Sequence, residues 1–471
     1  MVFSSLTFLC LFLPTLLLLY YPGRSGRWRN GVLVAFSLLF YGWGEPVLIL
    51  GMLFSTAVNY LAARAICATE NSTRRKLYLT IGVIASVIFL FYFKYAAFLL
   101  NSLTALLGMD YRMPVPELPI GISFYTFQIL TYTVDVYRGK APMLKNPMKL
   151  LLYISCFPQL IAGPIVQYAD VADQLDERRI STGDFSAGMR RFSVGLAKKI
   201  LLANICGAAL EETALATGAD PMSVLGAWLS IFLYTMQIYF DFSAYSDMAI
   251  GLGRLLGFTY KENFNFPYIS RSITEFWRRW HISLSSFFRD YIYIPLGGNR
   301  RGDKRTAINM LIVWALTGFW HGASWNFLAW GAYYGVLLLL ERFVLKAALD
   351  RLPGLIRWCL TFALVMIGWV LFYYTDFAAL LRHLGAMFGL GGVTLIDAKA
   401  VAVLRKYTIY PLLAFALSLP LVPALDKRIC ARVGENALYN GAKALLCVGL
   451  LILSVLFLVG QTYNPFIYFR F

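Results

Sequence analysis

Charge is scarce in this chain of 471 residues: Asp, Glu, Lys and Arg make up 14%, against about 25% in a soluble globular domain. Histidine is scarcer still, with His281, His321 and His383 the only three. No Cys-x-x-Cys pair occurs, and Cys10, Cys67, Cys156, Cys206, Cys359, Cys430 and Cys447 are scattered through mostly apolar surroundings. That spacing excludes a disulfide framework and leaves them as buried small hydrophobes. G-x-S-x-G, H-E-x-x-H and P-loop motifs are also missing, which removes the common serine hydrolase, zincin and nucleotide-hydrolysing readings. Gly251, Gly253 and Gly257 have the wrong spacing for a dinucleotide loop. Three dispersed histidines make no metal site, so no metal is expected.

What remains is apolar. Hydrophobic residues make up 59% and the mean hydropathy is +0.64, the composition of an integral membrane protein. The 42 basic residues outnumber the 25 acidic ones, a formal net charge of +17. With so few charges among so many apolar runs, this excess belongs to cytoplasmic loops rather than to a nucleic-acid surface.

Runs approaching the roughly 20 residues of a bilayer crossing lie near 5–21, 31–42, 46–66, 77–100, 119–137, 222–250, 306–320, 323–345, 356–374, 408–423 and 442–460. The expected fold is an all-α polytopic membrane protein of about 10–12 membrane helices. Basic residues follow the first run (Arg24, Arg27, Arg29) rather than precede it, the reverse of a secretory signal, so that run is expected to remain as a span. Gly42, Gly44 and Pro46 break the second run into a hairpin. Pro158 and Pro164 interrupt 150–166, which reads as re-entrant and hints at an internal cavity, because non-helical backbone at membrane depth must be satisfied by protein or water. The clusters Arg24–Arg29, Arg74–Lys76, Arg138–Lys149, Arg178–Lys199 and Arg300–Arg305 are expected to face the cytoplasm, which puts the N-terminus outside. The polar stretch 168–200 reads as an interfacial cytoplasmic helix with solvated charges.

The histidines carry the chemistry. His383, on a stretch of mixed polarity, reads as an ordinary interfacial residue. His321 lies in Trp320-His321-Gly322-Ala323-Ser324-Trp325-Asn326 between two apolar segments. An imidazole there is suited to take a proton from a hydroxyl and return it to a leaving group; an aromatic-packed structural histidine is the competing reading. His281 sits among Trp277, Arg278, Arg279 and Trp280, followed by Arg289, Asp290, Tyr293 and Asn299. This reads as an interfacial helix with aromatics at headgroup depth. Oxyanion donors are sought among Asn326, Ser324, Tyr293 and amides near Gly322, and water-excluding walls among Trp277, Trp280, Trp320 and Trp325. Asp241 and Asp247, costly if they met lipid, are expected to face inward and pair with arginines or amides, and Asp135 and Lys94 invite the same reading.

Phe276-Trp-Arg-Arg-Trp-His-Ile-Ser-Leu-Ser, Arg289-Asp-Tyr-Ile-Tyr-Ile-Pro-Leu-Gly-Gly-Asn and Trp320-His-Gly resemble the membrane-bound O-acyltransferase (MBOAT) family, in its bacterial alginate O-acetyltransferase-like branch. Lys94-Tyr95, Pro119 to Gln128, Phe157 to Pro164 and Tyr239 to Asp247 extend the resemblance over roughly 90–470. It implies the MBOAT fold, with re-entrant and interfacial helices around a central tunnel, and a division into N-terminal helices (1–90), a catalytic core (91–350) and C-terminal helices with an aromatic tail (351–471). By resemblance, His321 is catalytic and His281, forty residues upstream, lines the same cavity. Acetyl-CoA is the implied donor, with an acyl carrier protein serving in a related branch, and no cofactor is bound permanently. The expected acceptor is an extracytoplasmic polysaccharide, reached through a periplasmic acetyltransferase partner, with the chain in the bacterial inner membrane among its lipids. A C-terminal Phe-Ile-Tyr pattern recurring in the branch makes Tyr468 a candidate acyl relay, with an interfacial aromatic anchor as its alternative. A transporter or channel without covalent chemistry, and a lipid or protein O-acyltransferase, are the competing functions.

Overall fold

The computed structural model describes every residue except Arg24, Ala162, 214–222, 461–465 and 468–471. Tyr468, the tail after it and Arg24 of the first basic cluster therefore lie outside the described residues. Helices are the regular structure of the described residues, without a strand, and of the seven cysteines expected to be buried only Cys156 and Cys206 are. Contacts group the chain into two compact units, Met1–Phe192 with Tyr245–Lys261, and Ser193–Ala244 with Glu262–Phe471.

In the first unit, the helices Ile49–Ala68 and Ser72–Leu90 are joined by a buried amide-hydroxyl set. Asn59 donates to Ser86 Oγ at 2.9 Å and accepts from Thr133 Oγ1 at 2.6 Å. Such a set is stable in an apolar interior because each polar group meets a partner. Elsewhere in this unit Phe3, Phe8, Phe12, Phe40 and Phe157 form one ring cluster. The chain breaks at Cys156 between the helices Pro147–Ser155 and Phe157–Leu160, and the residues around the break are buried in protein, as irregular backbone at membrane depth requires.

Six helices among the described residues are long and apolar enough to cross a membrane: Ile49–Ala68, Ser72–Leu106, Thr182–Glu211, Trp325–Arg351, Gly354–Tyr373 and Ala437–Val459. A seventh crossing results if Ala398–Tyr407 and Ile409–Ser418, bent by 67°, act as one. The sequence-based count of ten to twelve is higher because it includes segments that form shorter helices, such as Gly26–Gly42 and Ile122–Tyr137. It also includes Val224–Leu255, whose apolar run carries Gln237, Asp241 and Asp247.

The reading of 168–200 as an interfacial helix with solvated charges is corrected. Thr182–Glu211 is one long apolar helix, mostly buried in protein, with a widened turn at Lys198–Ala203. Lys199 is buried and paired with Asp241 at 2.5 Å, and Arg191 is paired with Asp247 at 2.8 Å. Arg178 donates to Asn30 and lies over the Phe258 ring. Two of the cations that gave the stretch its polar appearance, Arg191 and Lys199, are met by carboxylates of another helix, which a linear sequence does not display, while Arg179 stays exposed.

In the second unit the helices Asp303–His321 and Trp325–Leu340 pack backbone against backbone. A Cβ on Gly318 would stand 2.3 Å from the Phe327 carbonyl oxygen, and one on Gly331 would stand 2.4 Å from that of Trp314. Neither neighbour is a flexible side chain that can swing away. Gly318→Ala is therefore expected to cost about 3 kcal/mol, the upper end for overpacking, read as a lowered unfolding midpoint in detergent. An unchanged midpoint would contradict this packing. Because Gly318 is one turn before His321, the same close approach fixes where the imidazole stands.

Candidate active site

His321 ends its helix, and Gly322 takes an extended conformation where a Cβ would fall 2.1 Å from the Phe327 ring. The imidazole is buried between Trp320, Trp330 and Phe372, with ring centroids 4.9, 4.9 and 5.2 Å away. Trp320 also packs on His281, at 5.9 Å. Two of the three histidines, forty residues apart in sequence, thus flank one indole.

His281 is fully buried, and its own backbone is strained: φ 44° and ψ 54° put a non-glycine residue in the left-handed region at the start of the helix Ile282–Phe288. Such a conformation costs about 1–3 kcal/mol and persists only where surrounding contacts enforce it. Asn263 supplies them. Its carbonyl oxygen lies 3.2 Å from His281 Nδ1 and accepts from the Ser283 amide at 3.2 Å and the Ser283 hydroxyl at 2.9 Å. Its backbone carbonyl accepts from the Ile282 amide at 2.9 Å, and the Asn265 amide donates to the Arg279 carbonyl at 2.9 Å. Phe242 stands edge-on to the imidazole at 4.6 Å. Burial pulls the ring's pKa down to about 3, so His281 is neutral at physiological pH.

Trp277, Arg278, Ser285, Arg289, Tyr293 and Trp314 line a pocket of about 240 Å³. Arg289 is paired with Asp290 at 2.8 Å, and its side chain is 61% exposed. Trp277, on the pocket wall, packs against Trp330 at 5.5 Å, and Trp330 packs on His321. A wall one indole pair thick therefore stands between the pocket and the imidazole. The helix Ile273–Arg279 that carries Trp277 is held at its start by a Ser272 cap and by Glu341, whose carboxylate accepts from the Ile273 and Thr274 amides at 2.7 and 3.2 Å. Negative charge at a helix N-terminus is stabilising.

The other expected residues separate. Trp280 packs against Trp369 at 4.9 Å and Phe264 at 5.1 Å, within the same aromatic core. Ser324 donates to Asn326 Oδ1 within the start of its own helix, and Asn326 Nδ2 donates to the Leu371 carbonyl at 3.4 Å, which joins two helices. Trp325 is 58% exposed and closes no wall. Asn299 is exposed. His383 is buried, with Tyr374 Oη 3.2 Å from its Nδ1. Sequence reasoning missed Asn263, Trp330 and Phe372. Only the position of Trp330, nine residues after His321 on the next helix, gave any signal.

A model of the MBOAT, membrane-bound O-acyltransferase family, matches residues 138–375. The chain is 40% identical, over the whole of both chains, to a protein of Azotobacter vinelandii named "probable alginate O-acetylase AlgI". It is 33% identical to the peptidoglycan O-acetyltransferase of Helicobacter pylori, over 84% of this chain and 81% of that one. With the teichoic acid D-alanyltransferase of Bacillus subtilis it shares 29% identity over 48% of this chain and 60% of that one.

Proposed function

The chain belongs to the membrane-bound O-acyltransferase family, and on that premise we propose that it takes acetyl from a cytoplasmic thioester, acetyl-CoA, and passes it across the bacterial inner membrane to an extracytoplasmic polysaccharide. It is a multi-pass membrane O-acyltransferase. Alginate is the acceptor class favoured by the full-length relative, and other secreted glycans share its chemistry. A periplasmic acetyltransferase completes the delivery in this reading.

The observation that carries it is the buried pair of imidazoles around Trp320. His321 takes the proton of an acceptor hydroxyl; the resulting alkoxide oxygen bonds to the thioester carbonyl carbon. The tetrahedral intermediate then collapses with cleavage of the carbon–sulfur bond, and His321 returns its proton to the departing thiolate. The buried indole N–H of Trp330 has no hydrogen-bond partner among the described residues, and it is the donor we assign to the oxyanion, since Asn326 has given its own to Leu371. His281, neutral and fixed by Asn263, orients the reacting groups. The pocket beside Trp277 is smaller than the roughly 300–1,000 Å³ that holds a whole drug-sized ligand, and it fits one arm of a larger donor whose phosphates meet Arg278 and Arg289.

The relatives are transferases, so the channel reading yields to covalent chemistry, and their named substrates are cell-surface polymers rather than lipids or proteins. Proteoliposomes holding purified enzyme, with acetyl-CoA on one side and the periplasmic acetyltransferase and oligosaccharide on the other, test this. The expected result is free thiol released in step with acetyl appearing on oligosaccharide supplied at the other side. Passage of solute with the thioester intact would overturn the proposal.

A further inference from the structure

One buried ionic group in the second unit is not used by the reaction just described. Lys199, in the widened turn Lys198–Ala203, gives its ammonium to Asp241 Oδ1 at 2.5 Å, and both side chains are buried. The second oxygen of that carboxylate accepts the backbone amide of Ile467 at 2.7 Å. Ile467 and Phe466 are themselves buried, and the preceding helix Ala437–Val459 packs against the turn that carries Lys199. A carboxylate in an apolar interior needs donors at both oxygens, because an unmet lone pair there costs the full desolvation of the group. Lys199 serves one oxygen and the C-terminal segment serves the other.

We propose that the Lys199–Asp241 pair is a docking site for the chain's own C-terminal segment, which it holds inside the second unit by the Ile467 backbone amide while Phe466 and Ile467 bury their side chains. The donor is main chain, so the site reads backbone rather than a particular side chain, and apolar burial at 466 and 467 supplies the selectivity. Nothing in this assignment depends on which acyl group the protein carries or on His321. It gives Asp241 a function beyond charge neutralisation: the carboxylate anchors a segment more than two hundred residues away in sequence.

Hydrogen exchange with residue-level fragmentation, on the full-length enzyme in detergent, tests it. The Ile467 amide should exchange at least about tenfold more slowly than a free peptide amide, as a buried charge-assisted hydrogen bond requires. In Lys199→Met/Asp241→Leu, which replaces the pair by apolar side chains, that protection should vanish while the amides of 224–240 keep theirs. Ile467→Pro removes the donor and leaves the ion pair whole. It should speed exchange at the amide of the neighbouring buried Phe466, and Ile467→Ala should not. Exchange at the free-peptide rate in the unaltered enzyme overturns the proposal whatever the variants do. So does protection that survives loss of the pair, or Ile467→Pro behaving as Ile467→Ala.

Discussion

His321→Ala is expected to lower acyl transfer by at least about 10²–10⁴-fold, the contribution of a positioned general base, while the protein still inserts and folds. The imidazole packs on Trp320, Trp330 and Phe372, so alanine also opens a cavity. His321→Gln separates the two effects, because it restores most of the volume and cannot shuttle the proton. Both variants should be inactive, with glutamine nearer the unaltered unfolding midpoint. Activity within a few-fold of the parent in His321→Gln would show that the ring packs and does no chemistry. Because His281 meets Trp320 and not the His321 ring directly, His281→Ala should lower the rate less while disturbing the strained turn that Asn263 enforces.

The second large effect concerns stability. Lys199→Met alone leaves the Asp241 carboxylate buried beside an apolar side chain. Breaking one side of a buried pair typically costs about 3–5 kcal/mol, whereas replacing both partners by apolar groups of similar volume is often neutral or stabilising. Unfolding in detergent should therefore show Lys199→Met well below the parent and Lys199→Met/Asp241→Leu recovered in part, the remainder being the Ile467 amide left without its acceptor. Equal midpoints for the parent and the single variant would mean that the pair is not desolvated in the folded protein. A double variant no better than the single would mean that the carboxylate's bond to the Ile467 amide contributes as much as its pairing with Lys199.

Much of the site was legible because its residues are rare or adjacent. Histidine between apolar segments is unusual enough that His321 and His281 stood out by composition, and the aromatic neighbours Trp277 and Trp320 lie within four residues of them. What brings the two imidazoles to one indole is tertiary. Asn263 acts through a loop eighteen residues upstream of His281, and no local pattern marks a residue whose task is to hold another in a left-handed conformation. The helical class followed from hydropathy, whereas the bounds of the individual helices did not, since a window of apolar residues has no means of showing that a run ends early or is broken. The error over 168–200 has the same origin. Arg191 and Lys199 look solvated in sequence and are not, because Asp247 and Asp241 meet them from a helix that begins after residue 222. The inward pairing expected of those two aspartates is present; their partners were the part hidden from sequence.

The central claim is that the imidazole at 321 moves the proton that makes the thioester reactive. Single-turnover release of free thiol from acetyl-CoA, with enzyme in excess and an oligosaccharide acceptor present, measures this step without the delivery that follows. The account predicts a rapid, acceptor-dependent phase in the parent enzyme that is absent from folded His321→Gln. The same phase at the same rate in that variant would contradict it.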